Sequence, residues 1–401
     1  MHSFSSTPAL GAATVDLAAI AHNLRTIADG AGAGVLAVVK ADGYGHGAVP
    51  VARTLVDAGA NGLGVAHIRE ALALREAGIP GPITAWLHTR DTDFAVAIAA
   101  GLDIAVSSAR QLAAVVDAAG RHGETATVTV KVDTGMNRSG VAADEWESFV
   151  DDLARARAAG AVALRGVMTH LACGDEPANP ANDHQAQALR SAVADLRAVG
   201  AVPEIVHAAN SPAALTRPDL AFDAVRPGVA LYGLNPVPQH SDADLIPAMT
   251  LATTVSLVKR VPAGGGISYG HTYIAPADTT VAVIPVGYAD GVPRALSGRL
   301  RVRINGRDFP GVGRICMDQF VVDLGPDEGG GVAEGDAVEV FGTGADGGPT
   351  AREWADLTGT IDYEIVTGIG SRIERRYVGG PVAGDDTVGG PTAGGAGGGR
   401  S

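Results

Sequence analysis

The feature that most constrains the fold is an alternation of helical stretches and short apolar runs between residue 16 and about residue 236. The first helical stretch, 16–29, can be capped by Asp16. It repeats apolar residues at steps of three and four: Leu17, Ile20, Leu24 and Ile27. The continuous apolar run 35–39 follows it and is typical of a strand buried on both faces.

Eight such apolar runs occur in this part of the chain, and helical stretches separate most of them. They lie at residues 35–39, 62–65, 83–87, 103–106, 126–132, 164–169, 205–207 and 224–226. Strands that alternate with helices predict parallel βαβ units. Eight units in about 220 residues favour an α/β fold of the closed (β/α)8 TIM-barrel type over roughly 11–236. An open doubly wound sheet stays the second possibility.

The pattern changes after residue 236, where β-rich runs are separated by turns rich in Gly and Asp, including Asn305-Gly306, a strong hairpin signal. These runs predict a mainly antiparallel β domain over 237–378, which a strand near 12–16 can join. They lie at 253–261, 279–286, 300–304, 320–324 and 337–341. One helix is expected from Thr350 to Leu357. The segment 379–401 has ten glycines and two prolines, so we expect a disordered tail.

The composition narrows the classes of function. With 44 acidic and 30 basic side chains, the net charge of −14 disfavours nucleic acid and anionic membranes as partners. No apolar run approaches the ~18 residues that span a bilayer, and the first residues lack the basic segment of a signal peptide. The two cysteines, Cys173 and Cys316, have no metal-ligand spacing. We therefore expect a soluble, cytoplasmic protein without a bound metal.

Lysine is rare, because only Lys40, Lys131 and Lys259 appear among the 30 basic residues. Nucleotide bias explains the general replacement of lysine by arginine. Lys40 directly follows one predicted barrel strand and Lys131 lies at the end of another, where barrel enzymes place their reactive groups. Partial burial there lowers the pKa of an amine and makes it available for a Schiff base or for proton abstraction. Lys259 has no comparable explanation.

The residues around these lysines resemble the alanine racemase family. The string Ala-Val-Val-Lys-Ala-Asp-Gly-Tyr-Gly-His-Gly at 37–47 is similar to the family's pyridoxal-phosphate attachment motif. The resemblance continues through the runs at 131–138, 169–170, 207–211, 225–228, 268–270, 287–291, 313–319 and 362–364. It implies an α/β barrel followed by a β domain, a head-to-tail homodimer, and interconversion of L- and D-alanine.

The resemblance also implies two catalytic bases. Lys40 would hold pyridoxal phosphate as an internal aldimine and, once released, act as a base on one face of the substrate. Tyr269 of the partner subunit would act on the opposite face, as removal and return of a proton on two sides requires. Arg138 and the backbone amide of Met317 of the partner subunit would bind the substrate carboxylate.

Further cofactor contacts follow from the same resemblance. Arg226 would donate to the pyridine nitrogen, His170 would link Tyr269 to Arg226, and Arg138 would also bind the phenolate oxygen. Lys131 would be carbamylated by CO2. The phosphate cradle would comprise Tyr44, Ser211, Gly228, Val229 and Tyr363, with Asn210 near the ring. The access channel would include Tyr288, Arg294 and Arg314. Asn137 and Ser139 depart from the smaller or more apolar residues typical of the family, which concerns fine tuning of the site.

Alternative functions remain open at this level. A serine or broad-specificity racemase is one, because an apolar pocket rejects one added hydroxyl only weakly. A barrel-type pyridoxal-phosphate decarboxylase is another, although it would normally place an acidic residue where Arg226 stands. A carrier protein that binds pyridoxal phosphate without catalysis would be a single barrel, without Tyr269 and Met317.

Overall fold

The structure is a computed structural model that describes residues 10–380. The predicted tail, 379–401, lies outside the described residues except for its first two positions. Strand β1 (Gly11–Asp16) begins the described chain and is followed by helix α1 (Leu17–Ala31). The Asp16 carboxylate caps α1 by accepting from the amides of Ala18 and Ala19 at 2.9 and 3.2 Å. This cap and the burial of the apolar positions at three- and four-residue steps agree with the sequence analysis.

Eight parallel strands form a closed barrel, which confirms the predicted fold class. The strands are β2 (Gly34–Val38), β3 (Gly62–Val65), β4 (Ile83–Ala85), β5 (Asp103–Val106), β6 (Ala126–Lys131), β7 (Val162–Met168), β8 (Ile205–His207) and β9 (Ala224–Val225). The barrel closes where β2 pairs with β9, Gly34 opposite Ala224 and Val35 opposite Val225.

Helical segments connect these strands; the short first one, α2 (Lys40–Tyr44), has non-helical backbone angles at residues 41–43, and the longer ones cover the outside of the barrel. They are α2 (Lys40–Tyr44), α3 (Ala48–Asp57), α4 (Ile68–Glu76), α5 (Phe94–Ala99), α6 (Ala109–His122), α7 (Trp146–Ala158), α8 (Pro180–Ala198) and α9 (Ser211–Thr216). Within residues 10–380, no helix has the length and apolar character needed to cross a membrane.

The rest of the chain is mainly β-structure. Its strands are β10 (Met249–Thr254), β11 (Leu257–Val261), β12 (Gly266–Ile267), β13 (Tyr273–Ile274), β14 (Thr279–Ile284), β15 (Arg301–Ile304), β16 (Arg307–Val312), β17 (Phe320–Gly325), β18 (Ala337–Phe341) and β19 (Glu374–Val378). Nine strands form one sheet in the order β11-β14-β17-β16-β15-β18-β10-β1-β19, and only the β1–β19 pairing is parallel.

The β-rich run 253–261 contains parts of two strands, because the chain changes sheet partners at residues 255 and 256. The amide of Val255 donates to the carbonyl of Asp336 at 2.9 Å, and the amide of Ser256 donates to the carbonyl of Val283 at 3.0 Å. The run is therefore divided between β10, beside β1 and β18, and β11, at the edge of the sheet.

Two helices follow β18: α10 (Ala351–Thr358) and α11 (Asp362–Thr367). Thr350 caps α10 as predicted, with its hydroxyl accepting from the amide of Glu353 at 3.1 Å. Phe341 and Trp354 pack edge to face at 5.1 Å in one apolar core that extends from the barrel into the sheet. The barrel and the sheet thus share buried surface, and the C-terminal part can support residues of the barrel.

Asp103 lies at the start of β5, at the amino-terminal end of the barrel and away from the strand ends expected to carry chemistry. Its Oδ2 accepts from the hydroxyls of Thr84 at 2.6 Å and Thr129 at 2.8 Å. Burial raises the pKa of this carboxyl to about 6. A carboxyl whose pKa is higher in the folded than in the unfolded chain contributes less to stability as pH rises between those two values.

Ionisation of Asp103 should therefore lower the free energy of unfolding of the parent by about 2–3 kcal/mol as pH rises from ~4 to ~7. We predict that Asp103→Asn does not show this decrease. The measurement is the free energy of unfolding of both proteins at fixed concentration across this range. The difference, variant minus parent, should increase as pH rises. A difference that does not change with pH would show that Asp103 titrates alike in the folded and unfolded chains.

Candidate active site

A cavity of about 440 Å³ opens at the carboxyl ends of the barrel strands. This is the end of a parallel barrel where loops from separate strands converge. Ten of the residues proposed from the sequence line it: Lys40, Tyr44, Lys131, Arg138, His170, Asn210, Ser211, Arg226, Gly228 and Tyr363. Val229 lies beside it, fully buried in the turn that follows Gly228.

The segment after Lys40 is a left-handed turn. Ala41, Asp42 and Gly43 have φ between 52° and 60° and ψ between 45° and 50°, and Tyr44 has φ 53°. A non-glycine residue in this conformation costs roughly 1–2 kcal/mol. Such a turn persists only where its surroundings stabilise it, so its contacts determine where Lys40 and Tyr44 stand.

Side chains from both parts of the chain hold the turn. His46 is fully buried, and burial lowers its pKa to about 4, so the ring is neutral. Its Nδ1 faces the carbonyls of Gly43 at 3.1 Å and Tyr44 at 3.0 Å and must carry the proton. Arg375 of β19 donates from Nε to the carbonyl of Gly45 at 3.0 Å. The β sheet therefore helps to fix a barrel loop.

Lys40 lies in an environment that disfavours its protonated form. Its pKa is lowered, first by burial and then by the positive charges of Arg138 and Arg226, while the charge of Glu70 acts in the opposite sense. Its Nζ lies 5.9 Å from the centre of the Tyr44 ring. The amine is thus more readily available as a nucleophile or base than an exposed lysine.

Arg226 is buried below the cavity, and its hydrogen bonds go to imidazoles and carbonyls. Nη1 donates to His207 Nδ1 at 2.6 Å, and Nη2 donates to the carbonyl of Thr169 at 2.8 Å and to His170 Nδ1 at 3.1 Å. Burial is the main cause that lowers the pKa of both histidines well below the usual value. Because each Nδ1 accepts a hydrogen bond, each ring is neutral and carries its proton on Nε2.

Lys131 ends β6 and is buried beside the cavity. Its Nζ donates to the hydroxyl of Ser139. Burial, followed by the charges of Arg138 and Arg226, lowers the pKa of the amine to about 8. An appreciable fraction is therefore neutral, and so nucleophilic, near neutral pH.

Ser211, Gly228 and Tyr44 form one wall of the cavity. The Ser211 hydroxyl accepts from the amides of Gly228 at 2.8 Å and Ala230 at 3.4 Å. A Cβ at position 228 would lie 2.1 Å from the Tyr44 hydroxyl, so glycine is required for this close approach. Because the Ser211 oxygen accepts from these amides, its O–H is available as a donor, and together with the Tyr44 hydroxyl and the open position at 228 it suits an anion.

Tyr269 and Met317 line a different cavity, of about 610 Å³, on the surface of the C-terminal part. Tyr269 is 71% exposed and Met317 is 53% exposed. The amide of Ala289 donates to the carbonyl of Met317 at 2.9 Å, which holds the 287–291 and 313–319 motifs together. A single chain thus contains both predicted groups of site residues without joining them in one cavity.

Some lining residues were missed in the sequence. Trp86 directly follows β4 and lines the barrel cavity, but the sequence placed it inside the predicted strand 83–87, which hid its position after a strand. His207, which accepts from Arg226, stands in a motif that was recognised but was given no role. Asp175 and Ile361 also line the cavity, from loops where the sequence offers no comparable signal.

The barrel cavity contains a lysine at the end of a buried strand, an arginine that donates to two neutral histidines, and a wall that suits an anion. These features are those of an enzyme that uses a lysine in its chemistry. Comparisons with known proteins specify the family. Residues 15–236 match the N-terminal domain of alanine racemase, and residues 248–377 match its C-terminal domain. The chain belongs to the alanine racemase family, which confirms the resemblance found in the sequence.

Individual relatives agree with this assignment. An alanine racemase of Mycolicibacterium vanbaalenii is 57% identical over 373 residues, which are 93% of this chain and 95% of that protein. The alanine racemase of D-cycloserine-producing Streptomyces lavendulae has a TM-score of 0.90 and 45% identity, covering 94% of this chain and 99% of that one. The Bartonella henselae alanine racemase, with covalently bound pyridoxal phosphate, has a TM-score of 0.82 and 30% identity, covering 92% and 100%. These relatives favour a racemase over the decarboxylase and carrier alternatives.

Proposed function

We propose that the protein is an isomerase that interconverts L-alanine and D-alanine with pyridoxal 5'-phosphate as its cofactor. The observation that carries the proposal is that one cavity joins Lys40, at the end of the first barrel strand, to Arg226 and to the wall of Ser211 and Gly228. Membership of the alanine racemase family supports alanine as the substrate.

The residues present fit this cofactor. Lys40 supplies the amine for its aldehyde, and Tyr44, Ser211, Gly228, Val229 and Tyr363 would hold its phosphate. Arg226 would face the pyridine nitrogen, for which its Nε–H and one Nη1–H remain after the hydrogen bonds to His207, Thr169 and His170. Asn210 would lie near the ring. When bound, pyridoxal phosphate withdraws electrons from the substrate α-carbon and makes its proton more acidic.

Arg226 has only donors and keeps its own proton, so an acceptor nitrogen facing it stays unprotonated. A carboxylate at that position would give a stronger electron sink and more side reactions. Arg138, exposed at the mouth of the cavity, would bind the phenolate oxygen of the cofactor and the carboxylate of alanine through its planar donor fork. This arrangement suits removal and return of one proton.

Inversion at the α-carbon needs a base on each face. Lys40 is the base for one face. Tyr269 of the partner subunit is the base for the other, and the backbone amide of Met317 of the partner subunit would hold the substrate carboxylate. Support comes from the exposure of Tyr269 and Met317, which share a surface cavity outside the barrel. Tyr288, Arg294 and Arg314 would line the access channel at the same interface.

His170 would complete the arrangement around the tyrosine. Because Nδ1 accepts from Arg226, the proton stands on Nε2. That Nε2–H is available to donate to a phenolic oxygen, and it would stabilise the deprotonated form of Tyr269 of the partner subunit. The same hydrogen-bond chain would connect that tyrosine to the arginine below the cofactor.

We predict that Lys40→Ala abolishes the visible absorbance of the lysine-bound cofactor, because the other lysine of the cavity, Lys131, is held by the Ser139 hydroxyl. Lys259→Ala is the matched control: Lys259 is exposed on β11, so its loss should leave the spectrum unchanged. Absorbance spectra of the two purified variants with added cofactor make the comparison. A retained band in Lys40→Ala would refute the attachment site.

We predict that Tyr269→Phe reduces racemisation roughly a hundredfold to ten-thousandfold, the usual effect of removing a general base. Exchange of the α-proton with heavy water should persist for one enantiomer only, because Lys40 still acts on its face. Proton NMR and chiral chromatography of the same reaction separate exchange from inversion. Exchange that falls equally for both enantiomers would contradict the two-base scheme.

Donation of Tyr269 across a dimer interface has its own test. Lys40→Ala and Tyr269→Phe subunits are each inactive, but a mixed dimer contains one site with both native residues. Mixing the two variants should therefore restore activity, up to about one quarter of the parent's if subunits exchange at random. Each variant mixed with itself serves as the control, and no recovery in verified heterodimers would show that Tyr269 acts within its own chain.

We further propose that Lys131 is carbamylated. Its neutral amine forms an N–C bond to CO2 and releases a proton, which converts a cation beside Arg138 into an anion that orients that guanidinium. In 13C-labelled bicarbonate, we predict a carbamate signal in the parent and none in Lys131→Arg. An unmodified amine at saturating bicarbonate would overturn this assignment.

A further inference from the structure

Glu70, in the first turn of α4, binds backbone amides from two different loops. Its Oε2 accepts from the amides of Ala66 and His67, both at 2.9 Å. Its Oε1 accepts from the amide of Ala41 at 2.7 Å. The first two hydrogen bonds cap α4, a common role for a glutamate in this position. The third is separate from the cap, because Ala41 follows Lys40 in the loop after β2.

The Ala41 amide belongs to the same planar peptide group as the Cα of Lys40. Holding that amide therefore fixes the orientation of the backbone from which the Lys40 side chain extends. Ala41 is also the first left-handed residue of the turn, with φ 52°. Glu70 thus acts at the junction between the barrel strand and the turn.

Glu70 also carries charge. Of the charged groups that shift the pKa of Lys40, Arg138 and Arg226 lower it, as burial does most of all, whereas Glu70 raises it. Other titratable side chains share the cavity with the amine: Tyr44, Lys131, His170, Asp175 and Tyr363. The carboxylate of Glu70 stands behind the turn, where it contacts the backbone instead of the cavity.

We propose that Glu70 is a positioning residue for Lys40, acting through the Ala41 amide and through its own negative charge. The inference rests on the proposed role of Lys40 as a base. A racemase base must accept a proton from one enantiomer and return a proton in the opposite direction. A carboxylate behind the lysine favours the protonated intermediate state of the amine, and the hydrogen bond keeps the amine in reach of the α-carbon.

The scarcity of lysine allows a direct measurement. With only three lysines in the chain, [ε-13C]lysine labelling of the full-length, cofactor-free protein gives three side-chain resonances. Lys40→Ala identifies the resonance of Lys40 by its loss. Titration of that resonance with pH then reports the protonation of the Lys40 amine without cofactor, substrate or turnover.

In Glu70→Gln we expect the midpoint of the Lys40 titration to move to lower pH. Glu76→Gln is the matched control, since Glu76 is an exposed residue at the end of the same helix and loses the same charge. Its Lys40 midpoint should equal that of the parent. An unchanged midpoint in Glu70→Gln would overturn the proposal and leave Glu70 as a helix cap.

Kinetic isotope effects of the cofactor-bound enzyme provide a second measurement, which a general structural defect would not change. In Glu70→Gln we expect kcat to fall roughly tenfold to hundredfold, as small displacements of reacting groups do. With α-deuterated alanine, the isotope effect on kcat/KM should rise for the enantiomer whose proton Lys40 removes and fall for the other. A loss that leaves both isotope effects at the parent's values would contradict a role specific to Lys40.

Glu70→Asp distinguishes the effect of the negative charge from the effect of the hydrogen bond to the Ala41 amide. It also replaces Glu70→Gln if that variant does not fold. It keeps the carboxylate but withdraws it by one methylene, so we expect the parental midpoint and the altered pair of isotope effects. Parental isotope effects in Glu70→Asp would overturn the positioning role. A failure of the proposed function is distinguishable, because it would appear as retained cofactor absorbance in Lys40→Ala, whatever the titration shows.

Discussion

The conformation of the turn after Lys40 is the constraint on which the rest of the site depends. Three non-glycine residues, Ala41, Asp42 and Tyr44, stand in the left-handed region there. At roughly 1–2 kcal/mol for each, the turn would not persist in isolation. Glu70, His46 and Arg375 hold its amides and carbonyls from three directions. Lys40 and Tyr44 line one cavity beside this turn, so the strained backbone fixes the proposed base and a proposed cofactor contact together.

The electrostatics of the cavity explain which ligands it suits. Lys40, Lys131, Arg138 and Arg226 all line it. Burial first, and then the positive charges of Arg138 and Arg226, lower the pKa of both amines. Such a group of cations favours anionic partners. A phosphate, a phenolate oxygen, a substrate carboxylate and a carbamate on Lys131 would each supply negative charge. The neutral histidines beside Arg226 add no further positive charge, which allows that arginine to remain buried.

Much of the fold was predictable because the βα alternation extends over the whole barrel, and repeated units constrain one another. Position at the end of a predicted strand then pointed to Lys40 and Lys131, whereas Trp86 fell inside the predicted strand 83–87 and was missed. The split of run 253–261 was not predictable, because the exchange of partners at Val255 depends on Asp336, which is distant in sequence. The left-handed turn was also not predictable, because neither Ala41 nor Tyr44 is a residue type that favours positive φ. Tyr269 and Met317 were found only through motifs of the family.

The separation of the two surface cavities bears on why a racemase of this kind would be an oligomer. In the proposed mechanism, each chain would carry the lysine half of a site in its barrel and the tyrosine half on its C-terminal part, because Lys40 and Tyr269 line separate cavities. If the two halves of one chain cannot meet, a two-fold arrangement satisfies both at once, because each copy gives Tyr269 and receives it. The two bases would then come from different subunits, with Lys40 held by the strained turn of one and Tyr269 held by the C-terminal part of the other. Association of the subunits would place Lys40 and Tyr269 on opposite faces of the substrate α-carbon. No single loop would then have to surround that carbon.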